Sequence, residues 1–577
     1  MVEKKMTGYP SIDKPWCADA TFFRKHPIIP NVSIYMLFRL ISLKILDQPA
    51  IDCLNIRATY RQLIKDAVTI SVALKELGVK KGDIVSVAMP NMYQGLTIFF
   101  GCNRIGAVVT FLDVVASTDE IISYLNQFKS PVLVAFDKSN DYLDKVKQST
   151  QVEHIITMGP DDLNTIEFKV DPKVSSADDV IPYSALGQFS ANASKRLIPA
   201  YFNVDDALIL YTSGSTGKPK SVVLTNKNIV AAELYLKNSC RMEITGTKTL
   251  TCVPFSYPYG FITSALTSLM WGKETILAPN MSKDTISYYY AKAPNIIFGS
   301  PALLDLTINN ISELQDLSSV THFISGGDFL TVQHAARGDA FFTKHGASNV
   351  EIGNGCGNAE TVSVGANPVG IPLKTGTAGK FLTGIDVMVV DPDTFEEKRY
   401  GEEGLLCVSG KHIFKEYYHN PQLTSEVKFI RNQKEYYITG TLGTIDEDGY
   451  FTVTGRQSRF YIMSSLNKVY CDYVQGIIGM FDCVKDCAVV KVPDAELLYV
   501  NKAYIVLNEP YTDSDETMAL LQNCLHLSTV SAAGNTVQLK PYEMPTYIEF
   551  VESLPRMPGS EKIDYLLLEK QAQESLA

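Results

Sequence analysis

A ten-residue segment, Tyr211-Thr-Ser-Gly-Ser-Thr-Gly-Lys-Pro-Lys220, constrains the fold of this chain more than any other feature. An apolar run at residues 207–210 precedes it and another at residues 222–224 follows it, and each run predicts a buried strand. Glycine lets a backbone approach a ligand closely, and exposed N–H groups, hydroxyls and ammonium groups attract an anion. The pattern therefore predicts a polyphosphate-binding loop between two strands, although a solvated Gly/Ser linker has a similar composition.

The spacing within this loop differs from that of a Walker A loop. Gly217 and Lys218 form the expected pair, but Pro219 follows where Ser or Thr is required. Thr212 stands where the first glycine of a Walker A loop belongs. The loop is therefore predicted to bind a nucleotide in a different way.

Length and charge limit the classes of protein to which the chain can belong. The 577 residues predict three or four domain-sized units, and the net charge of −11 without a basic block argues against nucleic acid as a partner. The eleven cysteines and the lack of a secretory signal at the start predict reduced thiols in the cytoplasm. The most apolar N-terminal stretch, residues 34–46, is too short to span a bilayer, so no integral membrane segment is predicted. This stretch is instead predicted to pack on the core, with an amphipathic surface helix as the alternative.

Helical and strand patterns alternate between residues 59 and 136. Thr59 followed by Gln62 forms a capping-box pattern, and Gly78 is placed to end the helix that begins there. The apolar residues of this helix repeat at spacings of three and four and are Leu63, Ala67, Ile70, Leu74 and Leu77. Three strands are predicted, at residues 84–89, 107–112 and 132–136. This alternation is typical of an α/β fold with a parallel sheet.

The character of the sequence changes near Gly455-Arg456. Before it, Asp446-Glu-Asp-Gly-Tyr450 predicts a hairpin turn between apolar strands. After it, short strands at residues 488–492 and 503–507 are mixed with helical segments, which is an α+β pattern. We therefore expect a domain boundary between residues 457 and 458.

The loop at 211–220, together with Leu224-Thr-Asn-Lys-Asn228, resembles the phosphate loop of the adenylate-forming (AMP-binding) superfamily. This superfamily includes acyl-CoA synthetases, aryl-acid ligases, luciferases and the adenylation domains of nonribosomal peptide synthetases. The resemblance extends from about residue 30 to about residue 570 and recurs at several separate motifs. It implies an α/β fold with a large N-terminal AMP-binding domain of parallel-sheet subdomains, residues 1–457. A small, mobile α+β C-terminal lid, residues 458–577, is implied as well.

The resemblance also implies which residues bind ATP. Four segments match motifs that contact the phosphates, the adenine or the ribose. The matching residues are Thr212, Ser213, Gly214, Ser215, Thr216, Gly217, Lys218 and Lys220 in the phosphate loop; Gly326, Gly327 and Asp328 beside the adenine; Asn354, Gly355 and Cys356; and Thr441 and Arg456 near the ribose.

Two further residues match the family's catalytic positions. Glu360 matches the acid that binds Mg²⁺, and Lys562 matches the lysine that bridges the carboxylate and the α-phosphate. Tyr257 and Gly260 belong to a segment that resembles the motif gating the acyl pocket, and Tyr257 takes a place usually held by His. Catalysis between two anions requires cations around the phosphates, which explains the need for the lysine and the metal.

The implied function is activation of a carboxylic acid by ATP to acyl-AMP, with release of pyrophosphate. The acyl group is then expected to pass to a thiol, with coenzyme A as the first choice. The substrate is expected to be a fatty or other aliphatic acid, and the implied cofactors are ATP, Mg²⁺ and coenzyme A. The chain is thus expected to be an AMP-forming acid–thiol ligase of fatty acid metabolism.

Several departures from the family pattern leave alternatives open. Cys356, Ala359 and Thr441 replace a tyrosine, a threonine and an aspartate that contact ATP, so altered nucleotide binding is expected. Arg459 occupies the hinge position, and Leu466 replaces a glycine that faces pantetheine in the family. The sequence therefore supports the adenylation step more strongly than it supports transfer to coenzyme A. One alternative is a ligase that loads a separate acyl or peptidyl carrier protein. The other is a pseudoenzyme that uses the same fold for binding.

Overall fold

A computed structural model describes residues 6–18, 27–113, 115–136, 139–159, 162, 178–191, 205–212, 220–239, 246–327, 330, 332–363, 365–366, 374, 376–464, 468–526, 529–530, 536–557 and 562–576 of the chain. Strands and helices alternate through most of this length. The strands are β1 (Pro49–Cys53), β2 (Ile56–Thr59), β3 (Ile84–Ala88), β4 (Val108–Leu112), β5 (Val132–Phe136), β6 (His154–Met158), β7 (Val180–Pro182), β8 (Asp206–Tyr211), β9 (Ser221–Thr225), β10 (Lys248–Thr251), β11 (Glu274–Leu277), β12 (Ile296–Gly299), β13 (His322–Ser325), β14 (Glu351–Cys356), β15 (Gly365–Ala366), β16 (Lys380–Phe381), β17 (Asp386–Val390), β18 (Gly404–Ser409), β19 (Glu416–Tyr417), β20 (Lys428–Arg431), β21 (Lys434–Ile445), β22 (Phe451–Arg456), β23 (Phe460–Ile462), β24 (Lys468–Tyr470), β25 (Val484–Asp494), β26 (Leu498–Leu507), β27 (Thr529–Val530), β28 (Thr536–Val537) and β29 (Tyr547–Phe550).

Helices cover the faces of the sheets. The α-helices are α1 (Pro10–Asp13), α2 (Ile34–Ser42), α3 (Tyr60–Glu76), α4 (Tyr93–Ile105), α5 (Thr118–Phe128), α6 (Asn140–Ser149), α7 (Leu186–Ala191), α8 (Asn226–Ser239), α9 (Thr267–Met270), α10 (Ile286–Tyr290), α11 (Pro301–Asn310), α12 (Val332–Lys344), α13 (Pro421–Glu426), α14 (Cys471–Ile478), α15 (Asp515–His526) and α16 (Tyr565–Leu576). A π-helix spans Tyr259–Leu266, and 3₁₀ turns span Pro15–Cys17, Tyr183–Ala185 and Gln457–Arg459.

Two large sheets form the centre of the molecule. One has nine strands in the order β16-β15-β14-β13-β12-β10-β11-β1-β2, and the other has eight in the order β19-β9-β8-β4-β3-β5-β6-β7. Strands β3, β4 and β5 pair in parallel, as the helix–strand alternation predicts, and so do β10, β12, β13 and β14. The predicted α/β fold class with parallel sheets is therefore confirmed.

Helix α3 begins close to where the capping pattern predicts. The Thr59 side chain accepts a hydrogen bond from the backbone N–H of Gln62, so Thr59 is the N-cap. The second half of the capping box is not formed, because the Gln62 amide donates to Asp66 at 2.8 Å. Gly78 follows the helix with a φ of +84°, a conformation that glycine adopts at no steric cost.

The apolar stretch at residues 34–46 forms the shorter helix α2 and packs on the core through one face. Ile34, Tyr35 and Phe38 are buried, and the Phe38 ring stacks on Phe100 with centroids 4.4 Å apart. Leu40 remains 52% exposed, so the helix is amphipathic as well as core-packed. None of the helices in the described part of the chain has both the length and the apolar character needed to cross a bilayer.

A third sheet leads from the large sheets into the last part of the chain. Strands β17, β18, β21 and β20 pair in that order and β22 joins β21, with the predicted turn at residues 446–450 between β21 and β22. The chain from residue 460 to residue 576, called the C-terminal region below, has its own three-stranded sheet, β25-β26-β29. Two hydrophobic clusters in this region draw their buried members only from residues 461–572.

Helix α8 carries a carboxyl group that is buried in the core. Glu233 is 2% exposed, and its Oε1 accepts a hydrogen bond from Thr267 Oγ1 at 3.0 Å. Its Oε2 is buried without a hydrogen-bond partner among the described residues. Burial raises the pKa of Glu233 to about 8, although Thr267 and Lys237 act in the opposite direction. Glu233 is therefore largely protonated in the folded protein at neutral pH.

Replacing Glu233 should change how stability depends on pH. The pKa of Glu233 is higher in the folded protein than in the unfolded chain. The free energy that Glu233 contributes to folding is therefore fully present below about pH 4.5. It is lost as the pH rises towards 8, at up to about 1.4 kcal/mol per pH unit. Glu233→Gln removes this titration, so the free energy of unfolding of the variant should rise relative to that of the wild type as the pH is raised. Urea unfolding at pH 5.5, 7.0 and 8.5 measures it, with Glu76→Gln on the exposed face of α3 as control. Parallel pH profiles for wild type and Glu233→Gln would contradict the prediction.

Candidate active site

The base of the predicted phosphate loop is closed by two hydrogen bonds. The backbone N–H of Thr212 donates to the Lys220 carbonyl at 3.0 Å, and the Lys220 N–H donates to Thr212 Oγ1 at 3.3 Å. Strands β8 and β9 contain the two apolar runs, flank the loop as predicted and pair antiparallel. The remaining loop residues of the prediction, Ser213, Gly214, Ser215, Thr216, Gly217 and Lys218, lie outside the described part of the chain.

Tyr417 connects the phosphate loop to Glu360. The Lys220 ammonium lies 5.3 Å from the centroid of the Tyr417 ring, and Tyr417 Oη donates to Glu360 Oε1 at 2.7 Å. Glu360 is only 5% exposed, so this hydrogen bond fixes a buried carboxylate. No sequence signal marks Tyr417, because only the pairing of β19 with β9 brings it beside Lys220.

The environment of Tyr417 keeps it a hydrogen-bond donor. Burial and the neighbouring Glu360 carboxylate raise the pKa of Tyr417 far above its ordinary value. The phenol therefore retains its proton over the whole physiological range and keeps donating to Glu360. The remaining oxygen capacity of a carboxylate fixed in this way suits a hard cation such as Mg²⁺, which is often bound by one or two protein carboxylates together with phosphates.

A polar notch lies at the carboxyl ends of β13 and β14. Ser325 and Asn354 are register partners there, and Ser325 Oγ and Asn354 Oδ1 are both buried without a hydrogen-bond partner in the described residues. Buried polar atoms are nearly always satisfied, so a ligand that brings donors fits this position. Carboxyl ends of parallel strands are also where ligands bind in open α/β sheets.

Three glycines line this notch, and two of them meet a steric or backbone requirement. A Cβ atom on Gly326 would lie 2.9 Å from the Tyr259 ring, and Gly327 has a φ of +88°. Gly355 follows Asn354 at the end of β14, where an added Cβ would have only ordinary contact with the Ser325 carbonyl. Asp328, the last predicted residue of this loop, lies outside the described residues.

Three residues predicted to surround the nucleoside are brought together by tertiary structure. Arg456 and Thr441 are cross-strand partners on β22 and β21, and Arg456 Nη1 donates to Thr441 Oγ1 at 2.6 Å. Burial raises the pKa of the Cys356 thiol, and the nearby charge of Arg456 partly offsets that effect. Thr441 is 3% exposed, so its hydroxyl is a fixed acceptor and not a surface group.

The C-terminal region places Lys562 beside Tyr257. Its ammonium lies 5.9 Å from the centroid of the Tyr257 ring, although the two residues are distant in sequence. The Lys562 carbonyl accepts from the N–H of Met557 at 2.8 Å, and a bridge between Arg556 and Ile563 closes the same hairpin. The structure thus brings together two residues that the sequence analysis assigned to one site.

The segment that carries Tyr257 is tightly folded at Gly260. A Cβ atom there would lie 2.3 Å from the carbonyl oxygens of both Val253 and Pro254. Only glycine fits such a contact, which explains this position in steric terms. Gly260 is the second residue of the π-helix, so the start of that helix lies directly against the backbone of residues 253–254.

No group of three or more His, Cys, Asp or Glu side chains suited to a metal ion occurs in the part of the chain that the structure describes. The site instead combines one fixed carboxylate, cationic side chains and unpartnered polar atoms. Such an arrangement suits a polyanion that carries its own metal ion.

Comparison with known protein families agrees with this arrangement. A model of the AMP-binding enzyme family matches residues 44–418, well over half of the chain. This chain belongs to the AMP-binding enzyme family. The predicted resemblance is therefore confirmed, and the matched range includes the phosphate loop and Glu360.

This AMP-binding enzyme is also similar to curated proteins over nearly its whole length. It is 25% identical to a long-chain-fatty-acid–CoA ligase of Bacillus subtilis, over 97% of this chain and 98% of the relative. A long-chain-fatty-acid–CoA ligase of Salmonella typhimurium is 26% identical over 91% of this chain and 92% of its own.

Solved structures share the fold of this AMP-binding enzyme. ATP-bound MatB from Rhodopseudomonas palustris superposes with a TM-score of 0.77 at 23% identity, covering 94% of this chain and all of its own. The anthranilate CoA ligase AuaEII with anthranoyl-AMP gives a TM-score of 0.79 at 20% identity, with coverages of 95% and 98%. At these identities the likeness shows the fold, with its large N-terminal part and smaller C-terminal part.

Gly260→Ala should destabilise the protein. The added methyl group meets two carbonyl oxygens that belong to the chain itself, and overpacking of this kind costs about 1–3 kcal/mol. The free energy of unfolding in urea measures the loss. Gly476→Ala in helix α14 is the matched control, because nothing lies within 4 Å of its Cβ position and alanine should stabilise the helix by about 0.5–1 kcal/mol. Equal effects of the two substitutions would contradict the steric explanation.

Proposed function

We propose that this enzyme activates a carboxylic acid with ATP and transfers the acyl group to the thiol of coenzyme A. In the first step a carboxylate oxygen attacks the α-phosphorus of ATP, the bond to the β-phosphate oxygen breaks, and pyrophosphate leaves. In the second step the thiol sulfur replaces AMP on the acyl carbon. The observation that carries the proposal is the position of the Lys562 ammonium over Tyr257.

Several of the predicted residues have a role in this proposal. ATP is a substrate, and the loop between Thr212 and Lys220 would hold its phosphates. The adenine amino group would supply the donor that Asn354 Oδ1 lacks, and Arg456 with Thr441 would contact the ribose. Lys562 would offset the negative charge that develops when two anions meet.

Glu360 is proposed to bind Mg²⁺. Its carboxylate is buried and oriented by Tyr417, and the Lys220 ammonium lies 5.3 Å from the centroid of that tyrosine ring. When bound, the metal ion would share the charge of the phosphates. The role of Tyr417 in this proposal is to hold the carboxylate in one orientation.

The acid and the final acceptor are proposed from the relatives. Both curated relatives described above are named long-chain-fatty-acid–CoA ligases, which supports an aliphatic acid and coenzyme A. A separate acyl or peptidyl carrier protein is the alternative acceptor, because Leu466 replaces the glycine expected to face pantetheine. Leu466 itself lies outside the described residues.

The organisation of the enzyme is also a proposal. We place the adenylation domain at residues 1–457 and the mobile lid at residues 458–577. Support comes from the separate hydrophobic clusters of the C-terminal region and from the 3₁₀ turn Gln457–Arg459 at the junction. A cytoplasmic location is proposed from the free cysteines of the described chain.

One specific observation favours a second candidate, a pseudoenzyme. Thr441 already accepts a hydrogen bond from Arg456, so one guanidinium donor expected at the ribose is directed to the protein. Cys356 and Ala359 also replace residues that the family pattern directs at ATP. In this case the fold would bind a ligand without acyl transfer.

Pyrophosphate release tests the function directly. Purified protein with Mg-ATP should release pyrophosphate when given dodecanoate, more slowly with benzoate and not with phenylalanine, all without a thiol. Lys562→Ala should reduce the rate at least 100-fold, because a charge at the reacting centre is worth several kcal/mol. Lys570→Ala, on the exposed face of α16, is the matched control and should leave the rate unchanged. Folded protein that releases no pyrophosphate with any acid would favour the pseudoenzyme.

Thr441→Asp should tighten nucleotide binding. A carboxylate accepting ribose hydroxyls contributes about 1.5–3 kcal/mol, which lowers the Kd for Mg-ATP roughly 10–100-fold. Wild type should distinguish ATP from 2′-deoxy-ATP by less than about fivefold, and the variant should do so more strongly. Calorimetric titration measures both nucleotides, with Thr441→Ser as the conservative control. Unchanged Kd values in Thr441→Asp would show that residue 441 does not face the ribose.

A further inference from the structure

Arg459 is built into the C-terminal region by three kinds of contact. Its Nη1 forms a salt bridge with Asp472 Oδ1, and its Nη2 donates to the Val489 carbonyl at 2.6 Å. The guanidinium carbon lies 3.4 Å from the centroid of the Tyr565 ring, which is a stacked cation–π contact. The side chain is only 16% exposed. Since all three partners lie in the C-terminal region, the Arg459 side chain belongs to that region and moves with it.

Asp472 links this cluster to the five-stranded sheet. While its Oδ1 pairs with Arg459, its Oδ2 accepts the backbone N–H of Arg456 at 2.9 Å. Arg456 is the last residue of β22, and its side chain donates to Thr441. One carboxylate therefore fastens both ends of the short segment that joins the sheet to the C-terminal region.

Tyr565 links the same cluster to Lys562. It is the first residue of α16, three residues after Lys562, and its Oη is held by the Gln475 amide at 3.0 Å. Arg459 thus lies over the ring of Tyr565 while Gln475 holds the hydroxyl of the same residue. A continuous path of contacts leads from Arg456 through Asp472 and Arg459 to the residue that begins the helix after Lys562.

We propose that Asp472, Arg459 and Tyr565 are positioning residues that hold Lys562 over Tyr257 while Arg456 stays at the nucleotide. This inference rests on the proposed function, because the position of Lys562 matters only if the enzyme forms acyl-AMP. None of the three residues is assigned a contact with ATP or acid; they act through Lys562 and Arg456. An arginine that stacks on a ring and donates through two nitrogens to different partners cannot be replaced by lysine without loss, which makes the cluster testable by conservative changes.

The path also predicts what gives way when the C-terminal region turns. Asp472 and Tyr565 lie within that region, and Arg459 directly precedes it with its side chain packed against them, so their mutual contacts would survive a rotation at residues 457–458. The hydrogen bond from the Arg456 N–H to Asp472 crosses the joint and must break, as must the contact of Lys562 with Tyr257. The contacts that break, and not those inside the cluster, therefore favour the arrangement for the first half-reaction, and the cluster holds Asp472 and Lys562 where they can form those contacts.

Two variants of Tyr565 and one of Arg459 test the proposal in the full-length protein. Tyr565→Leu removes the stacking ring, and kcat for dodecanoate-dependent pyrophosphate release should fall 10–100-fold with KM for ATP within about threefold. Tyr565→Phe keeps the ring and should stay within about threefold of wild type in kcat. Arg459→Lys keeps the charge and should lose about tenfold. A Tyr565→Leu or Arg459→Lys variant that is folded and keeps wild-type kcat would overturn the proposal.

A control and a second measurement separate positioning from general stability. Lys502 makes similar contacts in the same region, with its ammonium 2.8 Å from Glu549 and 4.8 Å from the Tyr504 ring centroid. It also donates to Ser575 Oγ at 3.0 Å near the end of α16, ten residues beyond Tyr565, and so touches the same helix away from the path. Lys502→Met should lower thermal stability and leave kcat unchanged. Hydrogen exchange at residues 455–459 and 562–568 should accelerate together in Tyr565→Leu and not in Lys502→Met.

The two measurements also separate this proposal from the proposed function. If wild type releases no pyrophosphate, the proposed function fails, and hydrogen exchange alone decides whether the path couples the two segments. Unchanged exchange at residues 455–459 in Tyr565→Leu would overturn the coupling whatever the activity. Accelerated exchange at both segments would support it.

Discussion

The parallel pairing of β12, β13 and β14 is the constraint on which the site depends. It brings Gly299, Ser325 and Asn354 to one edge of the nine-stranded sheet, because parallel strands end on the same side. The backbone N–H and C=O groups along the strands are paired in the sheet, whereas polar side-chain atoms at the strand ends are not paired by it. Ser325 Oγ and Asn354 Oδ1 are buried there without partners in the described chain, so the edge is polar where the interior beside it is apolar.

Charge is distributed around this edge by elements from different sheets. Glu360 is held by Tyr417, which belongs to the eight-stranded sheet, and Lys220 lies against the same ring. Arg456 enters from the third sheet, and Lys562 from the C-terminal region. Tyr417 orients Glu360 and has no predicted contact with a ligand. Arg456 and Lys562 lie beside Thr441 and Tyr257, which are themselves predicted site residues. Such support reduces the reorganisation needed when charge develops during a reaction.

Local signals in the sequence predicted much of the fold. The spacing of apolar residues and the flanking residues Thr59 and Gly78 located α3. Short apolar runs located the strands β3, β4 and β5, which are buried along nearly their whole length. The reciprocal half of the capping box was wrong, since the Gln62 amide prefers the buried Asp66 carboxylate. Tyr417 and Asp472 could not be predicted, because their significance arises from partners more than ten residues away in sequence.

The class of fold follows from the sequence alone, because apolar periodicity and turn residues are local properties. The phosphate-loop, acid and lysine positions are predictions that rest on the resemblance of this sequence to the family's motifs. Tertiary structure alone decided which side chains meet. Thr441 receives the guanidinium of Arg456 only because β21 and β22 pair in that register, and Lys562 reaches Tyr257 only because the C-terminal region is oriented towards the π-helix. Contacts between distant segments depend on how sheets and helices pack, and no local pattern of residues carries that information.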